Sequence, residues 1–502
     1  MPPSPHALLA LMAYGLAACS CGGPAERPAS EPAPASAAAA ATATASSSGP
    51  SARATPAARS IDVAYEAATD SWRATWAFAE PTPGILFDRR SPSNRHEAWK
   101  PEPGLHWVMD HGSERLSPDD GAPRTEFTVT FPTDDDSHGR APPLNLRFSN
   151  GDRLLFTSQL GVHALTCVGD RCDRRDVGEP RGWRFHTDAA RGLRVLASSA
   201  KGELAWDEPR GDLRGTYLYV GDLPPVDAGA FSLLLDPGLP EWLRRDTERL
   251  LPELVAFHAR EVGIQLDLRP FVFASRGDAS PSWQLRGRTL PALIQLEAKG
   301  VDWNEAGPQL ARVWFEFLAH ETFHLWNAQL ARRAEDARNE WLSEGSAIYV
   351  AGLALRHAKL LDDAAFDARI LRASNGCLAT LKGPLFDAAA DASYYDCGEM
   401  VEFVIDRHLA GKGGVLGLLA ATFELARGRG TYATSDYLTL LEQRATDAAV
   451  VADVRAVLDT GLGADPPGFV ARVLGRAGLP VELAPAKDGP KVVLKGGAAP
   501  AR

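Results

Sequence analysis

The chain has 502 residues, of which 45% are hydrophobic and 23% charged, with a net charge of −11. This is the composition of a soluble globular protein with enough apolar residue for more than one core, and the length is that of about three domains. The acidic balance argues against a nucleic-acid partner, which would require a basic face.

Residues 1–23 read as a lipoprotein signal peptide and acylation site. The apolar stretch 7–18 has signal-peptide length and is too short to span a bilayer. It ends in Leu16-Ala17-Ala18-Cys19, which resembles the lipobox of bacterial lipoproteins. The resemblance implies acylation of Cys19, a membrane contact through that N-terminal lipid, and an exported cell-envelope protein facing the periplasm or the surface. The segment before the apolar run departs from the pattern: it has His6 but no Lys or Arg. An ordinary secretory signal is the alternative, and it too sends the protein out of the cytoplasm. Residues 24–60 are almost entirely Ala, Pro, Ser, Thr and Gly, which cannot offset the entropy of ordering. They read as a disordered linker.

Residues 61–235 read as a β-rich, sandwich-like N-terminal domain. Phe127, Val129 and Phe131 alternate with threonines, the period of a half-buried strand. Asn150-Gly151 is a hairpin turn between strands at 144–148 and 154–156, and 216–220 is an aromatic strand. The pattern then changes. Residues 236–400 are expected to form an α+β domain: a helix over 241–262 containing Pro252, strands at 270–274 and 290–296, and helices over 308–332 and 339–354. Residues 401–485 read as a C-terminal α-helical domain and 486–502 as a flexible tail. No internal repeat and no second membrane-length apolar run is present.

The four cysteines beyond the processing site form two local pairs, Cys167 with Cys172 and Cys377 with Cys397. In an oxidising compartment both are expected as disulfides, with buried thiols as the alternative. A Cys377–Cys397 bridge would contribute on the order of 3 kcal/mol by constraining the unfolded chain.

The chemistry concentrates in His320-Glu321-Thr322-Phe323-His324. Residues i and i+4 share a helix face, so two imidazoles aim at one point. Glu321 stands beside them, within reach of a water there, as a general base. This is the His-Glu-x-x-His pattern of zinc sites. Leu310, Val313, Trp314, Phe317 and Leu318 form an apolar stripe leading into it. Nineteen residues separate His324 from Glu344, in Trp341-Leu342-Ser343-Glu344-Gly345-Ser346-Ala347-Ile348-Tyr349. A turn within that span lets a second helix run back and bring Glu344 up as third ligand. Two imidazoles and one carboxylate make an open, catalytic Zn²⁺ site. Asn327 and Glu340 are candidates to support the ligands, each with a plain surface role as alternative.

These blocks resemble the gluzincin zinc metallopeptidases. The ligand spacing is similar to that of the aminopeptidase N family. Trp326-Asn327 after the second histidine looks more like the glycyl aminopeptidase family, as does Ser393-Tyr394-Tyr395-Asp396-Cys397-Gly398, similar to that family's Tyr-Tyr-x-Lys-Gly block. The resemblance covers residues 236–479. It implies a thermolysin-like catalytic domain, hydrolysis of a peptide or protein substrate, and an oxyanion-stabilising role for Tyr395.

Two departures bear on activity. Cys397 stands where the family has lysine, and the stretch 287–297 lacks the acidic motif by which aminopeptidases bind a free amino group. Glu297 is the one nearby carboxylate. Aminopeptidase and endopeptidase activity both stay open, and oligomeric state is not encoded in any motif. The alternative function is a catalytically inactive, peptidase-like lipoprotein acting as a binding or envelope-structural module.

Overall fold

A computed structural model describes residues 59–496 except 88–94, 111–112, 134–144, 169–170, 176–181, 189, 208–214, 267–268, 278–281, 331, 335–336, 389–390 and 488. Cys19, the expected signal segment and nearly all of the expected linker lie outside the described residues. The layout is multidomain, with four mixed or antiparallel sheets of five or six strands and ten α-helices among the described residues. None of those helices is long and apolar enough to cross a membrane.

Three sheets occupy residues 59–220. In the six-stranded one, Phe127, Val129 and Phe131 of the strand Arg124–Pro132 stand opposite Trp76, Ala74 and Trp72. All six are buried, as the alternation predicts, and each large apolar side chain so buried stabilises by about 1.5–3 kcal/mol. A five-stranded sheet containing Ile85–Phe87 and Val162–Val168 closes the same core. The third sheet contains the Asn150-Gly151 hairpin, pairing Asn145–Arg147 with Arg153–Phe156. Gly151 has φ 92°, a left-handed conformation that suits glycine.

The outer face of that third sheet packs on a fourth. Leu146, Phe148, Leu154, Phe156, Tyr217 and Tyr219 meet Leu234, Phe271, Phe273, Leu290 and Leu293 in one cluster. Asp236, fully buried, clamps the junction. Its carboxylate accepts from the backbone N–H groups of Ser149 (3.0 Å), Gly238 (2.8 Å) and Arg276 (2.9 Å). Three donors satisfy a charge that would be costly to bury alone.

The fourth sheet runs Val226–Ala228, Phe231–Leu235, Phe271–Arg276, Leu293–Lys299, Gln284–Leu290. Its three inner strands are parallel, and both edge strands are antiparallel to their neighbours. The expected single strand at 290–296 is instead a hairpin. Pro291-Ala292 turns the chain there, and Ala292 takes φ 59°. Alanine carries no turn signature, and Leu290 and Leu293 on either side of the turn are both apolar, which hides the boundary.

Helix α1 (Glu241–Val262) ends at left-handed Gly263 and keeps Pro252 inside. Helices α2 (Pro308–His324), α3 (Glu340–His357), α4 (Asp363–Thr380) and α5 (Asp391–His408) pack with α1 and the fourth sheet into one large core. Shorter helices follow to Arg476. Part of the stretch expected as a flexible tail is ordered: Val481–Ala484 pairs with Lys491–Leu494. Asn375 of α4 fixes this hairpin, donating to the carbonyl of Val492 and accepting from its N–H, at 2.9 and 3.0 Å. Both expected cysteine pairs are bridged, Cys167 to Cys172 and Cys377 to Cys397.

Candidate active site

Helix α2 opens with Pro308 at its first turn after Gly307, where a missing N–H costs nothing. Its apolar stripe packs inward: Trp314, Phe317 and Leu318 are buried, and Leu310 and Val313 lie against the same core. Trp314 Nε1 donates to Thr247 Oγ1 of α1 (3.0 Å), and His258 of α1 lies 3.2 Å from both the carbonyl of Ala319 and Thr322 Oγ1. Helix α2 is thus held along α1 from Trp314 to Thr322, and His320, Glu321 and His324 are all buried.

The α-helix expected to reach residue 332 stops at His324. Leu325–Leu330 forms a π-turn, a widening often found at functional sites. Two side chains anchor it. Trp326 Nε1 donates to the carbonyl of Ile264 (2.8 Å), and Asn327 turns back so that its Oδ1 lies 2.9 Å from His324 Nδ1. Asn327 Nδ2 donates to the carbonyl of Ser343 (2.8 Å) on α3. Its acceptor oxygen therefore faces His324, which makes Nδ1 the proton-bearing nitrogen toward Asn327 and turns Nε2, the metal-ligating nitrogen, toward His320 and Glu344. Of the two proposed supports, Asn327 fills the role, while Glu340 ion-pairs with Arg333 at 2.5 Å.

Helix α3 runs back and delivers Glu344. His320 Nε2 lies 3.0 Å from His324 Nε2, and Glu344 Oε2 lies 3.3 and 3.5 Å from these two nitrogens. Zinc bonds of about 2.0–2.1 Å at the tetrahedral angle separate ligand atoms by about 3.3–3.4 Å. The three ligand atoms stand close to the corners of such a tetrahedron, and their chemistry, two imidazoles and a carboxylate, fits zinc. Burial opposes charge on Glu344, but the coulombic pull of His324 and the neighbouring His320 hold its carboxyl well below the usual range. For His324, burial favours the neutral ring, yet Glu344 outweighs it and pushes the pKa up. A buried anion holding a proton on its partner is a place where a cation can replace that proton.

Glu321 is held from the sheet. Thr289 Oγ1, on the edge strand Gln284–Leu290, lies 2.6 Å from Glu321 Oε2 and 2.7 Å from its carbonyl oxygen. Sequence reasoning missed this residue, and a lone threonine in a strand carries no signal that could have found it. Glu297 is placed elsewhere. Thr289 stands opposite Ile294, so Glu297, three residues on, projects from the opposite face of the sheet. There it lies 3.7 Å from Lys299 Nζ.

Tyr395, on α5, is buried with its ring centroid 6.0 Å from that of His320. Two features fix it. The Cys377–Cys397 bridge ties α5 to α4 two residues away. Arg369 of α4 joins three elements, pairing with Glu316 of α2 (2.6 Å), with Glu399 of α5, and with the carbonyl of Ile348 on α3 (2.9 Å). The structure thus brings His320, Glu321, His324, Glu344 and Tyr395 into one buried cluster.

No family model and no curated protein matches this sequence. The fold does match solved structures. An aminopeptidase N family protein from Idiomarina loihiensis aligns with a TM-score of 0.60 at 10% identity, over 85% of this chain and 79% of that one. Native yeast LTA4 hydrolase aligns with a TM-score of 0.50 at 11% identity, over 84% and 71%. The chain thus shares its fold with an aminopeptidase N family protein and with LTA4 hydrolase.

Proposed function

We propose that the protein is a zinc-dependent peptidase acting outside the cytoplasm. The observation that carries this reading is the convergence of His320 Nε2, His324 Nε2 and Glu344 Oε2 beside Glu321. His320, His324 and Glu344 would hold the metal. When bound, zinc supplies Lewis acidity that activates water and polarises a carbonyl oxygen. Glu321 takes a proton from the attacking water and gives it to the leaving nitrogen as the C–N bond breaks. Tyr395 donates its phenol hydrogen to the oxyanion that develops on the carbonyl. An extended substrate is held by backbone pairing along the sheet edge at Gln284–Leu290.

The fourth sheet with α1 to α5 is, in this reading, a thermolysin-like catalytic domain of about residues 236–400, between a β-sandwich-like domain and a helical one. Two bridged cysteine pairs support an oxidising compartment, and Cys19 would supply the lipid anchor to the bacterial envelope. The test is metal analysis with a peptide-library digest of the purified protein. One zinc per chain and cleavage abolished by a chelator is the expected result. A zinc-loaded protein that cleaves nothing would instead favour a binding or envelope-structural role.

A further inference from the structure

We propose that Thr289 is a positioning residue that holds the Glu321 carboxylate in its working orientation; this rests on the reading of Glu321 as the base. A hydroxyl has one proton, and Thr289 Oγ1 has two acceptors within 2.7 Å, the carboxylate Oε2 and the backbone oxygen of the same glutamate. A hydrogen bond to a charged group is the stronger, so the proton goes to Oε2. The hydroxyl is buried, so water does not compete freely for it. A carboxylate held through one named oxygen no longer turns about its terminal torsion, and its second oxygen is presented in one direction.

The contact is built by the approach of strand and helix. A methyl added to Gly287 would sit 2.6 Å from Phe317 Cε1 and 2.6 Å from the carbonyl oxygen of Gln295. The strand therefore lies against α2 at Gly287 only because that residue has no side chain. Glu321 is four residues beyond Phe317, about 6 Å along a helix, and Thr289 is two beyond Gly287, about 6.7 Å along a strand. The two spacings nearly match, so the second contact follows from the first. The strand that would carry the substrate backbone on its open edge thus carries the clamp on the base as well.

The experiment compares wild type with Thr289→Val, which keeps the shape and loses the hydroxyl, and Thr289→Ser, which keeps the hydroxyl. Three quantities are read: kcat and KM on a peptide the wild type cleaves, zinc content, and the Glu321 rotamer in crystals of metal-free protein. Thr289→Val is expected to lower kcat roughly 10- to 100-fold with KM and zinc content unchanged, and to spread Glu321 over more than one rotamer. Thr289→Ser is expected to restore both. Wild-type kcat in Thr289→Val, a loss explained by lost zinc or raised KM, or failure of Thr289→Ser to recover would each overturn the proposal. An active Glu321→Gln variant would overturn the underlying reading instead, and the metal-free rotamer would still decide whether Thr289 orients that side chain.

Discussion

Gly345 and Gly398 meet backbone to backbone. A methyl on Gly345 would lie 2.5 Å from the Cα of Gly398, and one on Gly398 would lie 2.6 Å from the Cα of Gly345. Helices α3 and α5 cross at this point, one residue after Glu344 and three after Tyr395. The crossing sets how closely the carboxylate and the phenol approach the histidines of α2. Neither glycine has an unusual backbone angle to explain it; the close approach does.

Gly398→Ala should therefore push α5 away from α3. Overpacking of this kind costs about 1–3 kcal/mol. The thermal midpoint should fall and zinc should bind more weakly, because Glu344 moves with α3. Calorimetry and a zinc competition titration check this, and wild-type values in both would show that the crossing tolerates a side chain.

Asn327→Ala removes the acceptor at His324 Nδ1 and the tie to Ser343. Zinc affinity should drop about 10- to 100-fold, with the ligands themselves intact. A chelator competition assay measures it. Unchanged affinity would mean that packing alone orients the His324 ring.

His258 gives a pH dependence. Burial holds its ring neutral and pulls the pKa from 6.5 to about 3, against a raising hydrogen bond to Ala319. The unfolded chain binds this proton below about pH 6.5, the folded chain only near pH 3. In between the unfolded state holds more protons, so stability rises with pH. The contribution, on the order of a few kcal/mol, is complete above pH 6.5 and lost as pH falls toward 3. His258→Leu should flatten the fall of the melting temperature between pH 7 and 4. A slope equal to wild type would place the acid sensitivity elsewhere.

Legibility in the sequence followed the range of the interactions. His320, Glu321 and His324 were readable because helical periodicity is local, and Glu344 because a turn within the nineteen intervening residues allows a second helix to return and its Trp-Leu-x-Glu-Gly block carries the resemblance. Asn327 was readable as a candidate because it follows the second histidine within one turn. Tyr395 rested on resemblance. Thr289 was not readable, since its contact depends on Gly287 admitting α2 against a distant strand. Nor was the π-turn: nothing in Leu325-Trp326-Asn327-Ala328-Gln329-Leu330 breaks a helix, and the widening comes with the reach of Trp326 to Ile264. The hairpin at 481–494 escaped because its partner, Asn375, lies more than a hundred residues earlier.

The most direct test of the central claim is Glu321→Gln, assayed for peptide hydrolysis and zinc together. Glutamine keeps the shape and can still meet Thr289, but it cannot accept the water's proton. Hydrolysis should be abolished with one zinc per chain retained. A variant that still cleaves at the wild-type rate would contradict the assignment of Glu321 as the base.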